Sequence, residues 1–299
     1  VRRILILATA VALMATETAC GSSGDGSSDG SGGLSVVVTT NVLGEIVESV
    51  AGEVADVEVL MPVGADPHEF ALSAKQAEAI ERADLVVVSG RGLEAGMTDV
   101  IDATGDAGAR FVASDHVPPG DDPHIWMDPL QMVPVVRALQ TELVERGADA
   151  DVLSASVDAY VAELEALDAE IAELVATIPE DRRKLVTNHD ALEAFAARYG
   201  LEVVGTVIPS MTTSAEASAA QLEALAATMR AAGVPAVFAE TTESARLAEA
   251  VADEVGDVDG EPVTVVELYT ESLGEPGSDA DGYVGMLRVD ATRIADALR

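Results

Sequence analysis

One cysteine stands in the 299 residues of this chain, at Cys20. Everything after it is closed to disulfides and thiolate ligands, so any metal site there must use histidine, carboxylate or carbonyl groups. Cationic side chains are scarce as well: 17 Lys and Arg face 53 Asp and Glu, for a formal charge of -36. A field of that sign repels phosphate backbones and anionic membrane surfaces, which excludes nucleic acid as a partner, and it concentrates cations near the surface. Histidine occurs four times and tryptophan once. The apolar run from Ile4 to Ala15 is too short for an ordinary membrane span. No HExxH or similarly compact zinc-hydrolase motif is present.

That short apolar run follows Arg2 and Arg3 and leads through small residues to Cys20, the layout of a secretory signal over residues 1–20. A lone cysteine closing such a segment resembles a bacterial lipobox, with Glu17 at a position where an aliphatic residue is usual. The expectation is export across the cytoplasmic membrane and a lipid anchor on its outer face through Cys20. Residues 21–33, "GSSGDGSSDGSGG", can bury nothing and read as a flexible tether, spanning on the order of 20 Å.

From Leu34 onward short β-branched runs alternate with amphipathic ones, the signature of βα units on parallel sheets. The first lobe, 34–150, predicts strands at "SVVVT", "VEVLM", "DLVVVS" and "RFVAS". Its helices fall near Val42 to Val50, Ala74 to Arg82, Leu93 to Ala103 and Pro129 to Arg146. Ser73 with Gln76 forms a capping box, and Asp128 is an N-cap ahead of Pro129. The second lobe, 180–299, predicts strands at "KLVTN", "EVVGTVI", "AVFAE" and "VTVVEL". Helices there run over about Asp190 to Arg198, Ala215 to Ala232, Ser244 to Val255 and Asp281 to Leu298. Between the lobes, residues 151–179 carry apolar side chains at Val157, Tyr160, Leu164, Leu167 and Ile171, steps of three and four that specify one long helix stopped by Pro179. The fold class is therefore α/β: two lobes, each a four-stranded mostly parallel sheet with flanking helices, joined by a rigid helix that limits wide hinge motion.

Three of the four histidines fall at strand C-termini, where open parallel sheets bind ligands. His68 follows the second strand and His124 the fourth, both in "DPH" contexts, while His189 follows the first strand of the second lobe. His116 reads as a surface residue. Three imidazoles favour zinc geometry with a fourth position to fill. Glu240, ending "AVFAE", and Glu271, in "VELYTESLGE", both qualify, and spacing does not choose between them. Asp190 is expected to cap its own helix. Trp126 is expected to pack against the lobe and fix the direction of His124. Protonation of free imidazole would release the ion below about pH 6.5.

The body from Leu34 to the end resembles the metal-binding lipoproteins of bacterial ABC importers for zinc and manganese. The resemblance is carried by "VGADPHEF", "DDPHIWMDP", "TNHDALEAFAARYGL", "VFAETTESARLAEAVADEVG" and "VELYTESLG". It implies two α/β lobes joined by a long helix, with His68, His124, His189 and Glu271 as ligands, although aspartate is usual at the last position. It further implies a monomeric receptor for Zn2+, with Mn2+ as the alternative, that hands its ion to a membrane permease driven by an ATPase. The stretch "HVPPGDD" stands where many zinc-specific members carry a histidine-rich loop. Two rivals are a zinc hydrolase, using Glu69 or Glu240 as general base, and a surface adhesin stabilised by metal. Ligands spread over both lobes suit capture and release better than catalysis.

Overall fold

Short apolar strands, fully buried at the centre as over Leu85–Val88 and Ala236–Glu240 and partly exposed at the edges as over Ala55–Val59 and Glu202–Thr206, sort into two separate parallel sheets. The computed structural model describes residues 33–104 and 110–299; Cys20 and residues 21–32 of the tether lie outside them. In the first lobe β1 (Leu34–Val38), β2 (Ala55–Val59), β3 (Leu85–Val88) and β4 (Arg110–Val112) pair in the order β2-β1-β3-β4. In the second, β5 (Lys184–Thr187), β6 (Glu202–Thr206), β7 (Ala236–Glu240) and β10 (Thr264–Leu268) pair as β10-β7-β5-β6. Every pairing within these two sheets is parallel, so "mostly" in the sequence expectation becomes "entirely". The sequence reading missed a short antiparallel hairpin, β8 (Asp257–Val258) with β9 (Glu261–Pro262). Its turn places Asp259 and Gly260 at φ 54° and 88°, the left-handed conformation that an Asp-Gly pair supplies.

The helices are α1 (Asn41–Ala51), α2 (Ala74–Arg82), α3 (Thr98–Thr104), α4 (Pro129–Glu145), α5 (Ala150–Ala176), α6 (Glu193–Tyr199), α7 (Ala219–Ala232), α8 (Arg246–Val255) and α9 (Tyr283–Leu298). The capping box of Ser73 and Gln76 starts α2, and Asp128 accepts the Leu130 N–H to start α4. α3 begins five residues later than its periodicity predicts. Glu94, placed in the expected helix, instead accepts from the Ser89 and Gly90 N–H groups and the Thr39 hydroxyl, holding a turn. Gly96 also lies so close to Phe70 that a Cβ would sit 2.5 Å from its carbonyl oxygen.

The joining helix α5 ends at Ala176, three residues before Pro179. Its 27 residues extend roughly 40 Å at 1.5 Å per residue. The face bearing Val157, Leu164, Leu167 and Ile171 is fully buried and packs against α4, α9 and α1. One apolar cluster runs from Val36 and Val87 of the first sheet, through Leu164 of α5, to Phe238 and Leu268 of the second. The two lobes thus share a continuous core. Among the described residues no helix is long and apolar enough to cross a membrane.

Candidate metal centre

The carboxyl ends of both sheets face one seam, and the strand-end loops turn into it. Each "DPH" segment makes the same local turn: Asp66 Oδ1 accepts the His68 N–H at 2.8 Å, and Asp122 Oδ1 accepts the His124 N–H at 2.9 Å. An aspartate that bonds the backbone two residues on, with proline fixing the residue between, sets each imidazole on a stiff loop. His189 is set differently. Thr187 Oγ1 donates to the His189 carbonyl, and the Asp190 N–H is spent on the Ser210 carbonyl. Asp190 therefore caps no helix, contrary to the sequence expectation; α6 starts three residues later, at Glu193, with no side-chain cap.

These turns bring His68, His124, His189 and Glu271 together, with donor atoms all within 4.8 Å of one another and every side chain buried. His124 Nε2 lies 3.2 Å from His189 Nε2, 3.4 Å from His68 Nε2 and 3.0 Å from Glu271 Oε1. Glu271 Oε1 is 3.3 Å from His189 Nε2, and Oε2 is 3.9 Å from His68 Nε2. Donors about 2.05 Å from a central zinc at tetrahedral angles stand roughly 3.3 Å apart. Most of the spacings fall close to that edge length.

Two of the rings have their other nitrogen committed. His124 Nδ1 bonds Asp122 Oδ1 at 2.8 Å and His189 Nδ1 bonds Glu240 Oε1 at 2.6 Å, so both carry hydrogen on Nδ1 and point Nε2 inward. The oxygens of Glu271 are buried and turned to the inward imidazole nitrogens. A buried set of convergent lone pairs is stable only around positive charge, whether a cation or protons. The titration behaviour agrees. Burial works against charge on His124, yet Glu271 and Asp122 outweigh it and hold the ring protonated up to about 9. At His189 burial is likewise overcome, chiefly by Glu240 and Glu271, and its pKa rises to about 10. Glu271 is buried as well, but the two imidazolium rings hold its carboxyl far below the usual carboxylate range. Burial keeps His68 below the ordinary imidazole value. The acidic surroundings that raise His124 and His189 are the same that would favour a dication between the inward nitrogens.

Of the two glutamates the sequence left open, Glu271 faces the inward nitrogens and Glu240 stands behind His189. Trp126 is buried beside His124, ring centroids 5.5 Å apart, and donates Nε1–H to the Thr270 carbonyl at 2.8 Å. His116 is exposed and stacks on Phe111. Asp122 and Asn41 were given no role in the sequence reading. The repeated Asp-Pro-His spacing could have identified the first; nothing local signals the second.

Fold and site together define a two-lobed α/β protein with three imidazoles and a carboxylate buried together in its seam. Residues 36–297 match the family described as zinc-uptake complex component A, periplasmic, and the chain belongs to that family. It is 32% identical over 287 residues to the manganese-binding lipoprotein MntA of Halalkalibacterium halodurans, covering 93% of each chain. To the zinc-binding protein TroA of Treponema pallidum it is 30% identical over 275 residues, covering 88% of each. The solved structure of TroA superposes with a TM-score of 0.82 over 89% of this chain and 99% of that one. A ZnuA crystal structure, 26% identical, gives 0.77 over 89% of this chain and all of the other.

Proposed function

We propose that this protein is the extracytoplasmic receptor of an ABC importer, capturing one Zn2+ between His68, His124, His189 and Glu271 and delivering it to a membrane permease. The observation that carries this reading is the convergence of three imidazole nitrogens and a carboxylate at near-tetrahedral spacing. Zinc is favoured over manganese by the three imidazoles, since manganese is harder and suits oxygen-rich sites. Similarity to both a zinc-binding and a manganese-binding relative supports a divalent metal as cargo and keeps Mn2+ as the alternative. Lipidation of Cys20 would hold the body at the outer membrane face through the tether.

Direct titration of chelator-treated protein with zinc, and competition with manganese, tests the proposal. The wild type should bind one equivalent, with zinc displacing manganese. His124→Ala should bind at least tenfold more weakly, since losing groups behind a ligand already costs about 10 to 100-fold. Equal affinity in the two proteins would remove His124 from the site and the reading with it.

A further inference from the structure

Glu271 belongs by sequence to the second lobe, yet the segment that carries it is bonded to the first. Asn41, at the start of α1 and buried, donates from Nδ2 to Ser272 Oγ at 3.1 Å and accepts the Leu273 N–H on Oδ1 at 2.9 Å. The same amide donates to the Pro62 carbonyl at 3.0 Å, and the neighbouring Gly64 N–H donates to Ser272 Oγ at 2.7 Å. On the other side of Glu271, Trp126 holds the Thr270 carbonyl. One helical turn beyond Asn41, Glu45 accepts the Tyr283 N–H at 3.2 Å and so grips the N-terminus of α9. The bonds that set His189, by contrast, run to Thr187, Ser210 and Glu240, all within the second lobe.

We infer that Asn41 is a positioning residue for Glu271. It makes His68, His124 and Glu271 one preformed unit on the first lobe and leaves His189 as the single ligand carried by the second. The inference rests on the metal-site reading above. Its physical basis is that a carboxylate held on both flanks by buried hydrogen bonds to the first lobe keeps its place relative to His68 and His124, whereas His189 is set only by bonds within its own lobe.

The test is a pair of double-mutant cycles read by zinc affinity, with cobalt(II) as a spectroscopic probe. Asn41→Ala should weaken zinc binding about tenfold or more in the wild-type background. It should add little once Glu271→Gln is present and keep its full effect in the His189→Ala background. The cobalt spectrum of Asn41→Ala should shift toward that of Glu271→Gln. Equal losses in both backgrounds, or an unshifted spectrum, would reduce Asn41 to a general structural role and overturn the inference. Should Asn41→Ala fail to fold, Ser272→Ala removes the shared hydroxyl and is read the same way. Failure of the metal-site reading would look different, since Glu271→Gln and His189→Ala would then themselves leave zinc affinity unchanged.

Discussion

His189 shows how much of this site lies outside the four inward atoms. Its Nδ1–H is fixed by Glu240 at 2.6 Å, which settles the tautomer and presents the Nε2 lone pair to the seam. Glu240→Ala should therefore weaken zinc binding by about 10 to 100-fold without removing a ligand, as calorimetric titration would show; unchanged affinity would make the contact incidental. Protons and a cation would compete for the same inward nitrogens. With His124 and His189 protonated up to about 9 and 10 in the ion-free protein, metal capture near pH 7 must expel about two protons. Apparent affinity should then rise with pH through the neutral range and level off only above those values, not near the free-imidazole value of about 6.5. Calorimetry in buffers of different ionisation enthalpy measures the release, and zero protons at pH 7 would contradict it. The three clustered histidines were legible because three of four fell at strand ends, two in one repeated tripeptide. Spacing alone did not separate Glu240 from Glu271, since both are acidic residues near the ends of neighbouring strands; the family resemblance pointed to Glu271, and the direction of each side chain distinguishes them in the fold.

Elements carry the next level of constraint, and α9 holds an instructive one. Its Asp290 is fully buried, accepts the Tyr269 N–H at 2.9 Å through Oδ1 and leaves Oδ2 without a partner. Burial is the main cause that pushes its carboxyl up to about 7. Below an unfolded value of about 3.9 both states hold the proton; between there and about 7 only the folded state does, so this group's contribution to stability falls as pH rises. Relative to the wild type, Asp290→Asn should gain stability by about 1.4 kcal/mol per pH unit at most across that window. Denaturant unfolding at several pH values checks this, and parallel curves would show that Asp290 does not titrate there. The strands and the long helix α5 could be read from the sequence because burial imposes its period directly on residues such as Val36 to Val38 and Leu164 to Ile171. α3 and α6 were misread at their starts because Glu94 and Asp190 look helical by pattern, while the backbone around them is engaged in tertiary hydrogen bonds.

At the scale of the whole molecule, a continuous apolar core and a 27-residue helix hold the lobes close. Asp66 of the first lobe accepts the Thr213 hydroxyl of the second at 2.5 Å, a further stitch beside the site. Contacts of this kind, like that of Asn41 with Leu273, join residues 147 and 232 positions apart and leave no local trace in sequence. The net charge of -36 gives the chain a field that favours the approach of cations. Whether the seam holds an ion through all four groups is decided most directly by X-ray absorption at the zinc edge of protein loaded with one equivalent. The account predicts a shell of three imidazole nitrogens and carboxylate oxygen at about 2.0–2.2 Å, with the outer-shell scattering of imidazole rings. A shell of oxygen alone, without imidazole scattering, would contradict it.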